Sequence, residues 1–264
     1  MISTAGSRST DTGTLMNDKT VGLILKEQDY RESSVILTVL TKEYGKISLV
    51  AQSARKMTSK NRGSILPYTK GEFFFDFKET RTMFRLKTAH TIEMYRYLHE
   101  DLNASLAIAV IAEVMDAFPL ESADFELSSH FYELFEEACT ALNERHRADI
   151  VLAVTLADLL DVQGIGPDVD ECVLCGNTNV AAISVRDGGF LCADCAAGHG
   201  VSLNDLSSLR AFRLINKAKL AHCSILEEHM DSAMETCTLL VEFLRQHAGL
   251  SVRSFPLFQQ MFQV

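Results

Sequence analysis

Lys70-Gly-Glu-Phe-Phe-Phe-Asp-Phe-Lys78 and Met83-Phe-Arg-Leu-Lys-Thr-Ala-His-Thr-Ile-Glu93, joined by Glu79-Thr-Arg-Thr82, read as two strands and a short hairpin connection. Successive strand side chains point to opposite faces, so Phe73, Phe75 and Phe77 share one face and Phe74 takes the other. The three-phenylalanine face is assigned to a core, and Phe74 is expected to meet the helical part of the chain. Upstream, Val21-Gly-Leu-Ile-Leu25, Ser34-Val-Ile-Leu-Thr-Val-Leu40 and Lys46-Ile-Ser-Leu-Val-Ala51 are short, β-branched and apolar. Turn-like Gln28–Glu32 and Lys42–Gly45 separate them, with Gly45 expected at positive φ. Five strands with no helix between them predict a small closed or nearly closed barrel, for which the OB-fold is the common five-stranded solution.

Beyond Tyr97 the texture changes. Leu102 to Phe118 reads as a helix stopped by Pro119, and Asp124 to Leu142 repeats apolar residues at helical spacing. Ala148 to Val162 ends in Gln163-Gly-Ile-Gly-Pro167, a Gly-then-Pro stop. Two further helices are expected over Leu203–Leu220, capped by Ser202 or Asn204, and over Asp231–His247. The expected class is α+β. Residues 1–18 read as a leader, with Met16 as an alternative start; 19–97 form the OB-fold domain and 98–264 the helical domain.

Embedded in the helical part, residues 167–199 carry Cys172-x2-Cys175-x16-Cys192-x2-Cys195. A two-residue gap lets a tight turn aim both thiolates of a pair at one point, and four thiolates make a closed, structural tetrahedral zinc site. Val180–Arg186 and Gly189-Phe-Leu191 would form a hairpin between the pairs, which completes a zinc-ribbon layout. Redox dithiols, buried free thiols and an iron–sulfur cluster are the alternatives. A catalytic zinc is disfavoured because four cysteines leave no open position and Glu171, not Pro, precedes Cys172. The eight histidines form no ligand pair; His199, close after Cys195, is read as a bystander or as a hydrogen-bond donor to a thiolate.

The chain has 264 residues, 47% of them apolar, and seven cysteines in no secreted disulfide framework, which points to a reducing cytoplasm. No apolar run approaches the ~20 residues of a membrane-spanning helix. The net charge of −10 is unevenly placed: residues 1–100 sum to +5 and residues 101–264 to −15. Such asymmetry suggests a first part able to meet phosphates and a second part with another task.

Gly22-Leu-Ile-Leu-Lys26, Asp29-Tyr-Arg-Glu-Ser33, Thr41-Lys-Glu-Tyr-Gly-Lys46, Ala51-Gln-Ser-Ala-Arg-Lys56, Ser59-Lys60, Leu66-Pro-Tyr68, Cys172-Val-Leu-Cys-Gly176 and Gly188-Gly-Phe-Leu-Cys-Ala-Asp-Cys195 follow one another in an order and spacing that resemble the RecO recombination mediators. The resemblance implies an N-terminal OB-fold, a helical domain with an embedded zinc ribbon, and binding of single- and double-stranded DNA. It also implies annealing of complementary strands, action with RecR, and help in loading RecA onto DNA coated with single-strand-binding protein. No catalysis is implied, and the location would be cytoplasmic and nucleoid-associated. Ser53 stands where such proteins often carry glycine, and the chain has no tryptophan.

An OB barrel holds single strands with a basic groove and exposed aromatic rings. Candidate phosphate contacts are Lys46, Arg55, Lys56, Lys60, Arg62, Lys70, Arg81, Arg85 and Lys87; Arg55, Lys56, Lys60 and Arg62 cluster in a stretch free of acidic residues from Gln52 to Ser64. Tyr30, Tyr44, Tyr68 and Phe84 are candidates for base stacking, with a place in the core as the alternative. Arg210, Arg213 and Lys217 line one face of a predicted helix and, given the resemblance, would receive the acidic tail of single-strand-binding protein. A zinc-ribbon scaffold that binds only proteins, and a metal-dependent nucleic-acid enzyme, are the competing readings.

Overall fold

The computed structural model describes residues 16–54, 62–77, 83–120 and 124–262. Strand β1 (Met16–Tyr30) is long enough to serve two partners: its first half pairs with β4 (Lys70–Phe77) and its second half with β2 (Ser34–Thr41), both antiparallel. The change of partner falls at Gly22, where a Cβ would meet Val39 Cγ1 at 2.4 Å and the Leu40 carbonyl at 2.9 Å, so only glycine lets the strands close there. A bulge between Ile24 and Lys26 adds to the bend. With β3 (Gly45–Ala51) and β5 (Met83–Glu93), the order β1-β2-β3-β5-β4 closes into a barrel. The β3–β5 pairing is parallel; the others are antiparallel. The strand takes in Met16, Asn17 and Asp18, which pair with Phe77, Asp76 and Phe75, so the leader expected over residues 1–18 overlaps the barrel. Gly45 has the positive φ expected, 62°. Ser53 also lies at positive φ, 53°, which explains why glycine suits that position.

Alternate strand residues fill the barrel: Val35, Leu37 and Val39, Ile47 and Leu49, Phe73 and Phe75, Phe84 and Leu86. Phe77 is only partly buried, and Phe84 is core rather than a free ring. Phe74 does not meet the helical domain. It faces outward across the strand from Lys19, its ring edge-on to that of His90 at 5.8 Å.

Leu23, Leu25 and Leu40, on the barrel's other side, join the core of the helical part, so the barrel is docked against that body. The helices are α1 (Arg96–Glu100), α2 (Leu102–Ala117), α3 (Phe125–Asn143), α4 (Ala148–Val162), α5 (Ala193–His199), α6 (Leu206–Lys217), α7 (Cys223–His229), α8 (Met234–Ala248) and α9 (Phe255–Gln260). Helix α4 is buried from Ala148 to Leu160 and is the post around which α2, α3, α6, α7 and α8 pack. Its buried carboxylates are answered one by one. Asp149 accepts from Arg147 Nη2 at 2.8 Å and from the Ala233 N–H at 2.8 Å, and Asp158 is held between His130 and Lys219. Helix α6 is capped by Asp205, not by the expected Ser202 or Asn204; the Asn204 side chain accepts instead from the Ile183 N–H at 2.9 Å.

The hydrogen bond from His130 Nε2 to Asp158 Oδ1, 2.6 Å, raises the His130 pKa above the ordinary histidine value, with burial opposing it. A histidine whose folded pKa is raised contributes stability that is full below about pH 6.5 and is lost as pH rises through the folded value. The wild type should therefore lose melting temperature relative to His130→Gln between pH 6 and pH 8.5. His130 is 38% exposed, so the differential is about 1–2 °C. Parallel pH profiles of the two proteins in thermal unfolding would refute it.

Candidate metal centre and nucleic-acid surface

The two cysteine pairs are brought together by a small hairpin. Strands β6 (Val180–Ser184) and β7 (Gly189–Cys192) pair antiparallel, and β7 runs directly into α5. Gly189 is required where the Asp168 backbone crosses the hairpin: a Cβ there would lie 2.3 Å from the Asp168 carbonyl oxygen. In the first pair, the Cys172 carbonyl accepts from the N–H groups of Cys175 at 3.3 Å and Gly176 at 2.8 Å, a turn that pinches the two side chains toward one point. In the second, Cys192 precedes α5 and Cys195 lies in its first turn, so one helical turn does the same work.

The four Sγ atoms all lie within 4.8 Å of one another, with Cys175 and Cys192 3.7 Å apart. A tetrahedral ion bound at ~2.3 Å has sulfur–sulfur edges of about 3.8 Å, so the cluster has the size such an ion needs. At Cys172 burial opposes ionisation, but the backbone N–H groups of Cys192, Leu174 and Cys175 outweigh it and draw the thiol down to about 6. The sulfurs of Cys192 and Cys175 push Cys195 up to about 12. Four sulfurs this close cannot all be thiolates without a cation among them, and a four-thiolate donor set suits a borderline or soft metal. The remaining cysteines lie elsewhere in the helical body: Cys139 and Cys237 are buried thiols pushed well up by burial, and burial likewise pushes Cys223 up to about 12. His199 does not reach a thiolate; its Nδ1 lies 3.0 Å from Asp187 Oδ1.

The basic residues expected on the barrel divide into three groups. Arg55, Lys56, Lys60 and Arg81 lie outside the described residues, and of Arg62 only the backbone, in a 3₁₀ turn (Arg62–Ser64), is described. Lys46 and Lys70 turn toward the helical body. The Lys46 ammonium donates to the carbonyls of Asp116 and Phe118 at the end of α2, and burial holds its pKa below the usual lysine range. Lys70 pairs with Glu136 on α3. Two lysines not singled out from sequence extend this seam, Lys26 to Asp116 and Lys42 to Glu133. Arg85 and Lys87 remain on the outer barrel surface; Arg85 has no ion-pair partner among the described residues, and Lys87 pairs with Asp76 at 2.5 Å.

The aromatic candidates are likewise spread over different surroundings. Tyr44 packs on Phe75 and Phe77 with its hydroxyl on Asp18, Tyr68 stacks on His99 against the helical core, and Tyr30 lies under the Arg31 guanidinium. On α6, Leu209, Phe212 and Ile215 face inward, leaving Arg210, Arg213 and Lys217 outside. Arg213 and Lys217 meet at Asp170, two residues before Cys172 of the cysteine cluster, at 3.1 and 2.7 Å. Arg210 lines a separate groove between α6 and the start of α8, whose walls also carry Asp231 and Glu235. The three residues therefore do not converge on one point.

No helix among the described residues is long and apolar enough to cross a membrane. A family model for the N-terminal part of recombination protein O matches residues 16–95, and one for its C-terminal part matches residues 99–256. Proteins named DNA repair protein RecO from Bacillus pumilus and Bacillus subtilis are each 28% identical to this chain. They align over 245 and 251 residues, which is 92% and 93% of this chain and 94% and 95% of theirs. One from Desulforamulus reducens is 30% identical over 177 residues, 66% of this chain and 67% of its own. With both halves matched in order, a closed five-stranded barrel and a four-cysteine cluster in the helical part, the chain belongs to the RecO family of DNA repair proteins.

Proposed function

We propose that this chain is a recombination mediator without catalytic turnover. It binds single- and double-stranded DNA, anneals complementary strands and helps load RecA onto DNA coated with single-strand-binding protein, acting with RecR in the cytoplasm at the nucleoid. A structural Zn²⁺ held by Cys172, Cys175, Cys192 and Cys195 fixes the ribbon to the helical body. The acidic helical part hosts protein partners, with Arg210, Arg213 and Lys217 at the rim that receives the tail of single-strand-binding protein.

The observation that carries this reading is the separation of charge by domain, +5 in residues 1–100 against −15 in the rest. The docking seam takes up Lys26, Lys42, Lys46 and Lys70, yet Lys19, Arg85 and Lys87 still lie on the barrel surface. Binding to a labelled single-stranded oligonucleotide should weaken steeply with salt. Reversing the charges of Arg55 and Lys56 should lower that affinity on the order of tenfold and the salt slope by about 1.4, at ~0.7 per contact on single strands. An unaltered slope would clear those two residues. The engagement of Lys46 and Lys70 by helical groups favours a second reading, a zinc-ribbon scaffold that binds only proteins; absence of any salt-dependent oligonucleotide binding would establish that one instead.

A further inference from the structure

We propose that Phe74 is a stacking platform for an unpaired nucleobase, so that single-stranded DNA crosses the barrel over β1, β4 and β5. This rests on the DNA-binding reading above and adds a site to it. Phe73 and Phe75 point into the barrel, so strand alternation turns the Phe74 ring outward, where it packs on neither the barrel core nor the helical body. Its cross-strand neighbours are Lys19 on β1 and Thr88 on β5. A surface cavity of about 520 Å³ opens there, lined by Asp18, Lys19, Phe74, Phe75, Lys87 and Thr88. That volume lies within the range of pockets that hold small planar ligands.

Three cations and three carboxylates stand around the ring, Lys19, Lys87 and Arg85 against Asp18, Glu72 and Asp76, so the ring and not a net charge is what this face adds to phosphate contacts. The Lys19 ammonium lies over one face of the ring, 5.9 Å from its centroid, so a base would take the opposite face or displace the ammonium. On the β5 side, a bulge between Phe74 and Phe75 pairs these residues with Thr88 and Leu86, which leaves Lys87 as the extra residue of β5. Bulges re-aim side chains in this way, and Lys87 is brought to the rim of the cavity. Arg85, also exposed, continues the cationic line along β5. Glu72 and Asp76 hold Lys19 and Lys87 at 2.9 and 2.5 Å. Such surface pairs are weak and exchange readily for a phosphate. A base has its π-face free only in a single strand, so duplex DNA can use the ammonium groups but not the ring.

The β2–β3 face, the usual ligand face of this barrel type, is partly taken up here. Its outward Leu40 is buried in the helical core, and Lys46 is bound to the end of α2. The β1–β4–β5 face carries no such cover at Phe74.

Phe74→Leu keeps an apolar side chain of similar reach and removes the π-face. In the full chain it should weaken binding of labelled oligothymidylate by about tenfold, leave the salt slope unchanged, and leave a duplex of equal length within about twofold. The chain has no tryptophan, so Phe74→Trp places a single tryptophan at the site, which can be excited selectively over the six tyrosines. Its fluorescence should be quenched in proportion to bound oligothymidylate, while that of Phe125→Trp, at an exposed position on α3, should not. Unchanged oligothymidylate affinity in Phe74→Leu, or unmoved Phe74→Trp emission while the labelled strand binds, overturns the platform and leaves the DNA-binding reading standing. Failure of the wild type to bind any DNA overturns both.

Discussion

Cys192→Ser should strip the protein of its metal and lower the melting temperature by at least about 10 °C. Cys192 ends β7, precedes α5 and supplies one of the four converging sulfurs, so one substitution disconnects the hairpin, the short helix and the cluster. The ribbon's own apolar core consists of Cys172, Ala182, Leu191, Cys192 and Ala196, far too little surface to hold some thirty residues in place. The stability of such a unit comes from the ion; apparent binding free energies of about 10–16 kcal/mol are typical of small zinc domains. The loss would reach the helical body, because Phe190 of β7 packs on Phe212 of α6 at 5.9 Å and Ile183 belongs to the same core. Retaining even half of that binding energy as stability corresponds to about 5 kcal/mol, or some 10–20 °C in a chain of this size. Elemental analysis and calorimetry check this together. The wild type should hold one zinc per chain, and Cys223→Ala, outside the cluster, should hold as much. A serine variant with full metal content and an unchanged melting temperature would remove the metal from the account of the fold.

The ribbon was legible in the sequence because coordination geometry imposes spacing. Two residues between cysteines and a hairpin between the pairs are what a closed four-sulfur site requires, and both stand in the sequence. The barrel was legible for a similar reason: strand alternation places Phe73 and Phe75 inside without reference to any partner. What long side chains face was not legible. Lys46 and Lys70 carry the same charge as Arg85 and occupy similar strand positions, yet they bind the ends and faces of α2 and α3. Nothing local to Lys46 says that a helix C-terminus will arrive beside it from seventy residues away. The start of β1 was hidden in the same way. Met16 to Thr20 lack an apolar run and form a strand because β4 offers it an edge, which also hid Lys19 as the neighbour of Phe74. Short helices α5, α7 and α9 carry too few turns to show a period, and they are set by packing rather than by propensity. Acidic α3, by contrast, makes sense only against the barrel: Glu133 and Glu136 answer Lys42 and Lys70.

Lys46 offers the means to separate these two uses of positive charge. Its ammonium donates to the Phe118 carbonyl at 2.8 Å and to that of Asp116, with the Asp116 carboxylate at 3.7 Å, and its side chain is 16% exposed. The last carbonyls of a helix have no partner within the helix and carry the negative end of its dipole, so a cation there satisfies both needs at once. Lys46→Met keeps most of the side-chain volume and removes the donor. It leaves the end of α2 facing the barrel with unmet acceptors at about 1–3 kcal/mol each, partly recovered by water. The expected loss is about 2–3 kcal/mol, or roughly 5–10 °C in melting temperature, which calorimetry would read. The salt slope of oligonucleotide binding should stay as it was. A phosphate-contacting lysine gives the opposite signature, a slope reduced by about 0.7 on single strands with stability nearly unchanged. Observing that second signature would place Lys46 in the path of the DNA and require the end of α2 to move away from it. Observing the first would show that Lys46 serves to hold the helical body and is not a phosphate contact, so that positive charge on a barrel strand is not by itself a sign of a polyanion site.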